Sequence, residues 1–109
     1  MLKAKIKIEI NDYTINQEGI IDNDILIVYD KEEKITFDLK NLILHKENKE
    51  LIIDMDFNKK KIKYELVTEK RQFSNDFTII SLTNSNNQYI INYRIEETNF
   101  LLKINYETI

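Results

Sequence analysis

The chain has 109 residues, of which 42% are hydrophobic and 32% are charged, and its net charge at pH 7 is −3. This balance is typical of one folded domain and excludes disordered and collagen-like chains. Cysteine is absent, which excludes a disulfide framework, a thiolate nucleophile and a cysteine-based metal site. The longest apolar run, residues 25–29, is too short for a transmembrane helix. The N-terminal residues alternate between apolar and charged, unlike a secretory signal, so we expect a cytoplasmic protein.

Alternation of apolar and polar residues is the dominant pattern along the chain. It begins at residues 2–10, where Leu2, Ala4, Ile6, Ile8 and Ile10 share one face of a predicted half-buried strand. The same pattern recurs at residues 35–39, 51–57, 62–66, 89–95 and 100–106. Less regular strands are predicted at residues 13–21, 25–29 and 77–83, and residues 42–44 are a short tenth candidate. Residues 69–75 are predicted to form one helical turn at most.

The connections between these strands are short and polar, and Asn takes the turn role that Gly and Pro usually fill. Connections this short join antiparallel neighbours, because parallel strands need a crossover of a dozen or more residues. We therefore predict an all-β fold, a single antiparallel up-and-down barrel of eight to ten strands, closed or nearly closed, over residues 1–109. Apolar residues also fall on its predicted outer face, so part of the outside is expected to be covered: Leu26, Val28, Ile52, Ile80, Leu82, Ile90 and Leu101.

Several strand patterns resemble a family of small uncharacterised bacterial proteins with a lipocalin-like (calycin-like) barrel, typified by the Bacillus protein YwiB. The matching segments are residues 18–21, 27–32, 55–57, 62–64 and 91–95 together with the terminal strand. The chain differs from the family pattern at residues 45–48, where the family has an Arg and a Gly. The resemblance implies the barrel fold and no assigned biochemical activity.

Aromatic residues repeat on the predicted inward face. Either they pack the core, or they line a small cavity in which a ligand would meet apolar surface and a few phenol groups. We therefore predict that any ligand site lies in the barrel interior and is lined by Tyr64, Tyr89, Tyr93, Tyr106, Phe37 and Phe57.

Other groups of polar residues give weaker indications of a site. His45, the only histidine, falls in a predicted turn without a second histidine or a nucleophile nearby. Asp54 and Asp56 share a strand face, but they alternate with apolar residues and so point to solvent. Residues 22–24 resemble the start of a calcium loop without its glycine, and we interpret them as a turn. Lys59, Lys60, Lys61 and Lys63 form a basic cluster near Phe57 and Tyr64, although on the opposite face.

No catalytic residue, metal site or cofactor is predicted. We expect a non-catalytic binding module for a small apolar ligand or for a protein, including a second copy of itself in a homodimer. Neither a membrane nor nucleic acid is favoured as a partner, because the net charge is negative. The alternative is an OB-like barrel that binds single-stranded nucleic acid; such folds have five strands, fewer than this sequence provides.

Overall fold

The computed structural model describes residues 1–109 and contains eleven β-strands and no helix. The strands are β1 (Leu2–Ile10), β2 (Tyr13–Asp22), β3 (Ile25–Asp30), β4 (Glu33–Asp38), β5 (Ile43–Glu47), β6 (Leu51–Asp56), β7 (Lys61–Leu66), β8 (Arg71–Asp76), β9 (Thr78–Ser85), β10 (Gln88–Ile95) and β11 (Thr98–Thr108). The chain therefore has no helix long and apolar enough to cross a membrane.

All strands belong to one antiparallel sheet in the order β8-β7-β6-β5-β4-β3-β2-β1-β11-β10-β9. Consecutive strands are neighbours except β8 and β9, which do not pair with each other. The one pairing between strands that are distant in sequence joins β11 to β1 and places the C-terminal hairpin beside the N-terminal strand. The sheet curls into a nearly closed barrel. The predicted all-β antiparallel barrel is confirmed, with eleven strands where eight to ten were predicted.

The barrel is completed by one extended segment that contacts both sides of the gap. Only Phe77 separates β8 from β9, yet β8 bonds to β7 and β9 bonds to β10. The two strands are thus successive parts of one segment whose halves pair with different neighbours. The far edge of each half has no strand beside it, so β8 and β9 form the two edges of the sheet.

Phe77 anchors this segment at its midpoint. Its side chain is 5% exposed, and its N–H donates to the carbonyl of Lys60 at 3.0 Å. Its ring centroid lies 5.5 Å from that of Phe57 and 5.6 Å from that of Tyr93, which belongs to β10. The ring therefore joins the β7 side of the barrel to the β10 side.

The core follows the predicted alternation in most strands. Eighteen buried residues form one cluster, and none of them is charged. The predicted inward residues of β1, β4, β10 and β11 are largely among them, including Ile6, Phe37, Ile91 and Leu102. Leu2 is an exception, since it lies at the open end of the barrel and is 56% exposed.

The predicted face of β3 is wrong. Leu26 and Val28 point inward and are each 1% exposed, whereas the prediction placed them outside. Every residue from Ile25 to Tyr29 is apolar or aromatic, so this strand has no polar face from which its register could be read. The pairing of Leu26 with Phe37 and of Val28 with Ile35 determines the face instead.

Two segments that were predicted to be irregular form strands in the structure. Part of the segment predicted to form at most one helical turn is β8, and β5 extends to Glu47 through the predicted turn that contained His45. The real turn lies two residues later, where the Asn48 side chain accepts hydrogen bonds from the N–H groups of Glu50 and Leu51.

The only glycine and the only alanine of the chain face each other across β1 and β2, as Ala4 and Gly19. A Cβ on Gly19 would lie 2.3 Å from the Ile27 carbonyl oxygen and 2.7 Å from the Ile6 Cδ1 atom. The absence of a side chain at Gly19 therefore lets β3 approach β2 closely at this bend of the barrel.

We expect Gly19→Ala to lower the free energy of unfolding by about 1–3 kcal/mol, because the new methyl group meets backbone that cannot rotate away. Urea denaturation followed by circular dichroism measures this change. The control is Glu18→Ala, an exposed neighbour on the same strand, for which little change is expected. Equal stability of the Gly19→Ala variant and the wild type would contradict the close approach.

We expect Phe77→Ala to cost about 3–5 kcal/mol and to speed amide hydrogen exchange in both β8 and β9, because it removes the contact that holds the segment to both sides. The matched control is Phe73→Ala, since Phe73 lies on β8 and is 44% exposed. Protection lost from β8 alone would contradict the role of Phe77 as a shared anchor.

Candidate functional site

Four of the six residues predicted to line the interior form two aromatic pairs. Phe37 and Tyr89 make an edge-to-face contact at 5.3 Å, and the Tyr89 hydroxyl donates to the Leu39 carbonyl at 3.2 Å. Phe57 and Tyr93 are 5.7 Å apart. All four are buried, and the rings within each pair pack against each other.

The remaining two predicted residues, Tyr64 and Tyr106, are half-buried and pack against the edge of this core. No fully buried polar side-chain atom lacks a hydrogen-bond partner. The grooves that the surface provides, each about 280–490 Å³, open to solvent at the rims and on the outer face. The interior ligand site itself stays a prediction.

Burial governs the chemistry of the interior tyrosines. Loss of solvent, with a smaller contribution from Tyr64, raises the pKa of Tyr93 to about 12. Burial also raises the pKa of Tyr106, with smaller contributions from Tyr89 and Asp24. These phenols are neutral at physiological pH, and they are poor general bases there.

At one rim of the barrel, polar side chains at the ends of β2, β3, β4 and β5 form a network. The Tyr13 hydroxyl donates to Glu33 at 3.3 Å and to Asp30 at 3.4 Å. Lys46 Nζ lies 3.4 Å from Glu33 and 4.7 Å from the centre of the Tyr13 ring, and Asn48 donates to Glu33 at 3.1 Å. Burial and the two carboxylates raise the pKa of Tyr13 to about 12. Each polar group here already has a partner within the protein.

His45 lies on β5 and points outward, opposite Asp54 of β6. Its Nδ1 atom is 2.5 Å from the Asp54 carboxylate, and its Nε2 atom is 3.4 Å from Glu47. The pairing orients the Asp54 carboxylate on the outer wall. The other predicted outer carboxylate, Asp56, accepts hydrogen bonds from the N–H groups of Asn58 and Lys59 and so closes a turn. No group of three or more His, Asp or Glu side chains has a geometry that could hold a metal ion.

The turn of residues 22–24 and the lysine cluster agree with their sequence interpretations. Asn23 and Asp24 both have positive φ, as a two-residue hairpin turn requires. Lys61 is paired with Asp76 at 3.7 Å, and Lys63 lies opposite Asp54. Phe57 is buried inside while these lysines are exposed, so the basic and aromatic groups lie on different faces.

The sequence interpretation missed the feature that distinguishes this molecule, the pair of free strand edges on β8 and β9. All six residues of β8 are exposed, as are seven of the eight in β9. A groove of about 380 Å³ runs beside β8 on the outer wall and is lined by Ile52, Asp54, Lys63, Tyr64, Glu65, Gln72, Phe73 and Ser74. The free edges provide unpaired main-chain donors and acceptors, and the groove provides space for a side chain.

No protein-family model matches the chain, and neither a curated protein nor a solved structure matches it. The resemblance to the lipocalin-like family typified by YwiB therefore stays a prediction.

We expect the difference in stability between wild type and Tyr93→Phe to depend on pH. The folded pKa of Tyr93, about 12, lies above 10.0, the ordinary pKa of a tyrosine. Stability from keeping this phenol neutral is complete below pH 10 and is lost as the pH rises towards 12. Between pH 10 and 12 the free energy of unfolding should therefore fall less for Tyr93→Phe than for the wild type, by on the order of 2 kcal/mol.

Urea denaturation of both proteins at pH 7, 10 and 11.5 provides the measurement. Titration of the lysines affects the stability of both proteins equally, because both carry the same lysines. Tyr29→Phe is the control, because Tyr29 is 64% exposed. Parallel pH profiles for wild type and Tyr93→Phe would show that Tyr93 is not shielded from solvent.

Proposed function

We propose that this protein is a non-catalytic binding module whose ligand is an extended segment of a protein partner, bound along the free edge of β8. The observation that carries this proposal is the barrel closure, which leaves β8 with a neighbour on one side only. An extended peptide adds to such an edge through main-chain hydrogen bonds, while pockets for alternate side chains give specificity.

The groove beside β8 supports this assignment. On the outer wall it combines the apolar side chain of Ile52 with the charged groups of Asp54, Lys63 and Glu65. Tyr64 and Phe73 lie opposite each other in β7 and β8 and border the groove from the inner face of the sheet. Its volume of about 380 Å³ suits one or two side chains of a peptide. Phe73, 44% exposed on β8 itself, offers an aromatic surface at the point where the main chain would bind.

The electrostatics of the groove indicate the kind of segment that fits. Asp54 and Glu65 contribute two carboxylates and Lys63 one ammonium group. His45 bonds to Asp54 from the β5 side and keeps its carboxylate in place. The best ligand is therefore an extended segment with an apolar side chain for the groove and a basic residue beside it.

The packed interior favours a protein ligand over a small apolar one. The aromatic rings of the interior contact one another, so an apolar ligand would have to displace them at the cost of those contacts. Single-stranded nucleic acid is disfavoured because the exposed lysines near Phe57 have no stacking surface on their own face.

We expect peptides selected from a random displayed library against the immobilised protein to bind with dissociation constants in the range of about 1–100 µM. Phe73→Lys should weaken this binding at least ten-fold, because it removes the apolar contact and adds an unmatched charge on the edge. Tyr29→Lys is the matched control: Tyr29 is also an exposed aromatic, but it lies on β3 and does not line the groove beside β8. Its binding should stay within two-fold of wild type.

Nuclear magnetic resonance titration with the selected peptides should shift β8 amide signals first. Single-stranded DNA at low salt serves as a competing ligand, for which no binding is expected. Peptides that bind equally well to Phe73→Lys, or a bound apolar compound that native mass spectrometry finds in the protein from its own host, would contradict the proposal.

A further inference from the structure

The second free edge, that of β9, differs from β8 in its chemistry. Residues 77–93, which contain β9 and six of the eight residues of β10, carry no charged side chain. Elsewhere in the chain no stretch between two charged residues exceeds five residues. The one long uncharged stretch of an otherwise highly charged protein therefore coincides with a free strand edge.

Edge strands are usually protected from pairing by charged residues, by proline or by irregular geometry. β9 has neither charge nor proline, and its only irregularity is a bulge opposite Asn92 and Tyr93, at Ile80. Ile80 is 55% exposed and Leu82 is 38% exposed. The edge thus combines unpaired main-chain groups with exposed apolar side chains.

We propose that the free edge of β9 pairs antiparallel with the same edge of a second copy, forming a two-fold symmetric homodimer with a continuous sheet. This inference does not depend on the proposed function, because it concerns β9 and not β8.

The lack of charge favours a second copy as the occupant. In an antiparallel pair, residues that lie directly opposite share a face, so a two-fold axis perpendicular to the sheet places one residue opposite its own copy. A charged residue at that axis would face an identical charge, which is destabilising. β9 avoids this repulsion along its whole length. A foreign partner could use a charge on the edge for recognition, but β9 provides none.

The middle of β9 locates the axis. The strand runs from Thr78 to Ser85, so pairing that uses most of its length places Ser81 or Leu82 at the axis. Ser81 accepts a hydrogen bond from Asn92 at 2.8 Å, which leaves Leu82 as the more suitable position for a test. A lysine at position 82 would lie opposite or diagonal to the lysine of the other copy.

β9 has eight residues, so pairing of two copies buries less surface than the about 1,200–2,000 Å² of a standard stable interface. The dimer should therefore be weak. We expect sedimentation equilibrium of the wild type to give a dissociation constant of about 10 µM to 1 mM. Leu82→Lys and Leu82→Glu should each weaken dimerisation at least ten-fold. An equimolar mixture of the two should recover it as a heterodimer, because Lys then faces Glu.

Leu2→Lys is the control, since Leu2 is exposed but belongs to a strand that is paired on both sides. It should dimerise like wild type, as should Phe73→Lys, which separates this result from the test of peptide binding. Circular dichroism and thermal unfolding verify that each variant is folded. The inference is wrong if the wild type is monomeric at about 1 mM, if Leu82→Lys dimerises like wild type, or if the mixture stays monomeric.

Discussion

The position of Phe77 determines how this barrel closes. A sheet whose last strand paired directly with its first along their whole lengths would have no edges, as in fully closed barrels. Here the closing segment bonds to β7 before Phe77 and to β10 after it, and the buried ring contacts residues from both sides. Burial of this side chain holds the segment across the gap without a continuous hydrogen-bonded ladder. The two free edges are therefore a direct consequence of how the barrel is completed.

The interior and the surface of the barrel differ in their chemistry. Side chains inside are apolar or aromatic, with no buried charge, and the tyrosines there are kept neutral by burial or bonded to the backbone. Charged groups lie outside or at the rim, and some of them form pairs, such as His45 with Asp54 and Lys46 with Glu33. The free edges of β8 and β9 add rows of unpaired main-chain donors and acceptors to this surface. The proposed recognition by pairing of strands would use these main-chain groups.

The sequence predicts the fold well where alternation is regular and the faces differ in polarity, as in β1 and β10. It fails for β3, because both of its faces are apolar, and for β8, because Arg71 to Asp76 contains one aromatic residue and no alternation. The free edges could not be predicted from local patterns at all. Whether β8 and β9 share neighbours depends on how far each strand is shifted along the barrel wall, which is a non-local property. His45 was misplaced for a related reason, since its strand position depends on pairing with Thr36 and Asp54.

The contrast between the two edges could nevertheless have been read from charge alone. β8 begins with Arg71 and ends with Asp76, and Asp76 is paired with Lys61 of the neighbouring strand. Charges at both ends limit the registers in which another strand can add to it, so β8 is suited to a selective partner. β9 has no such restriction, and only its bulge at Ile80 interrupts a uniform row of main-chain groups. An unprotected edge on a small soluble domain carries a risk of open-ended association, but a two-fold pair buries the edge in both copies and leaves none free for further growth. Symmetric pairing through β9 would therefore remove the unprotected edge while β8 stays accessible on the other half of the same segment.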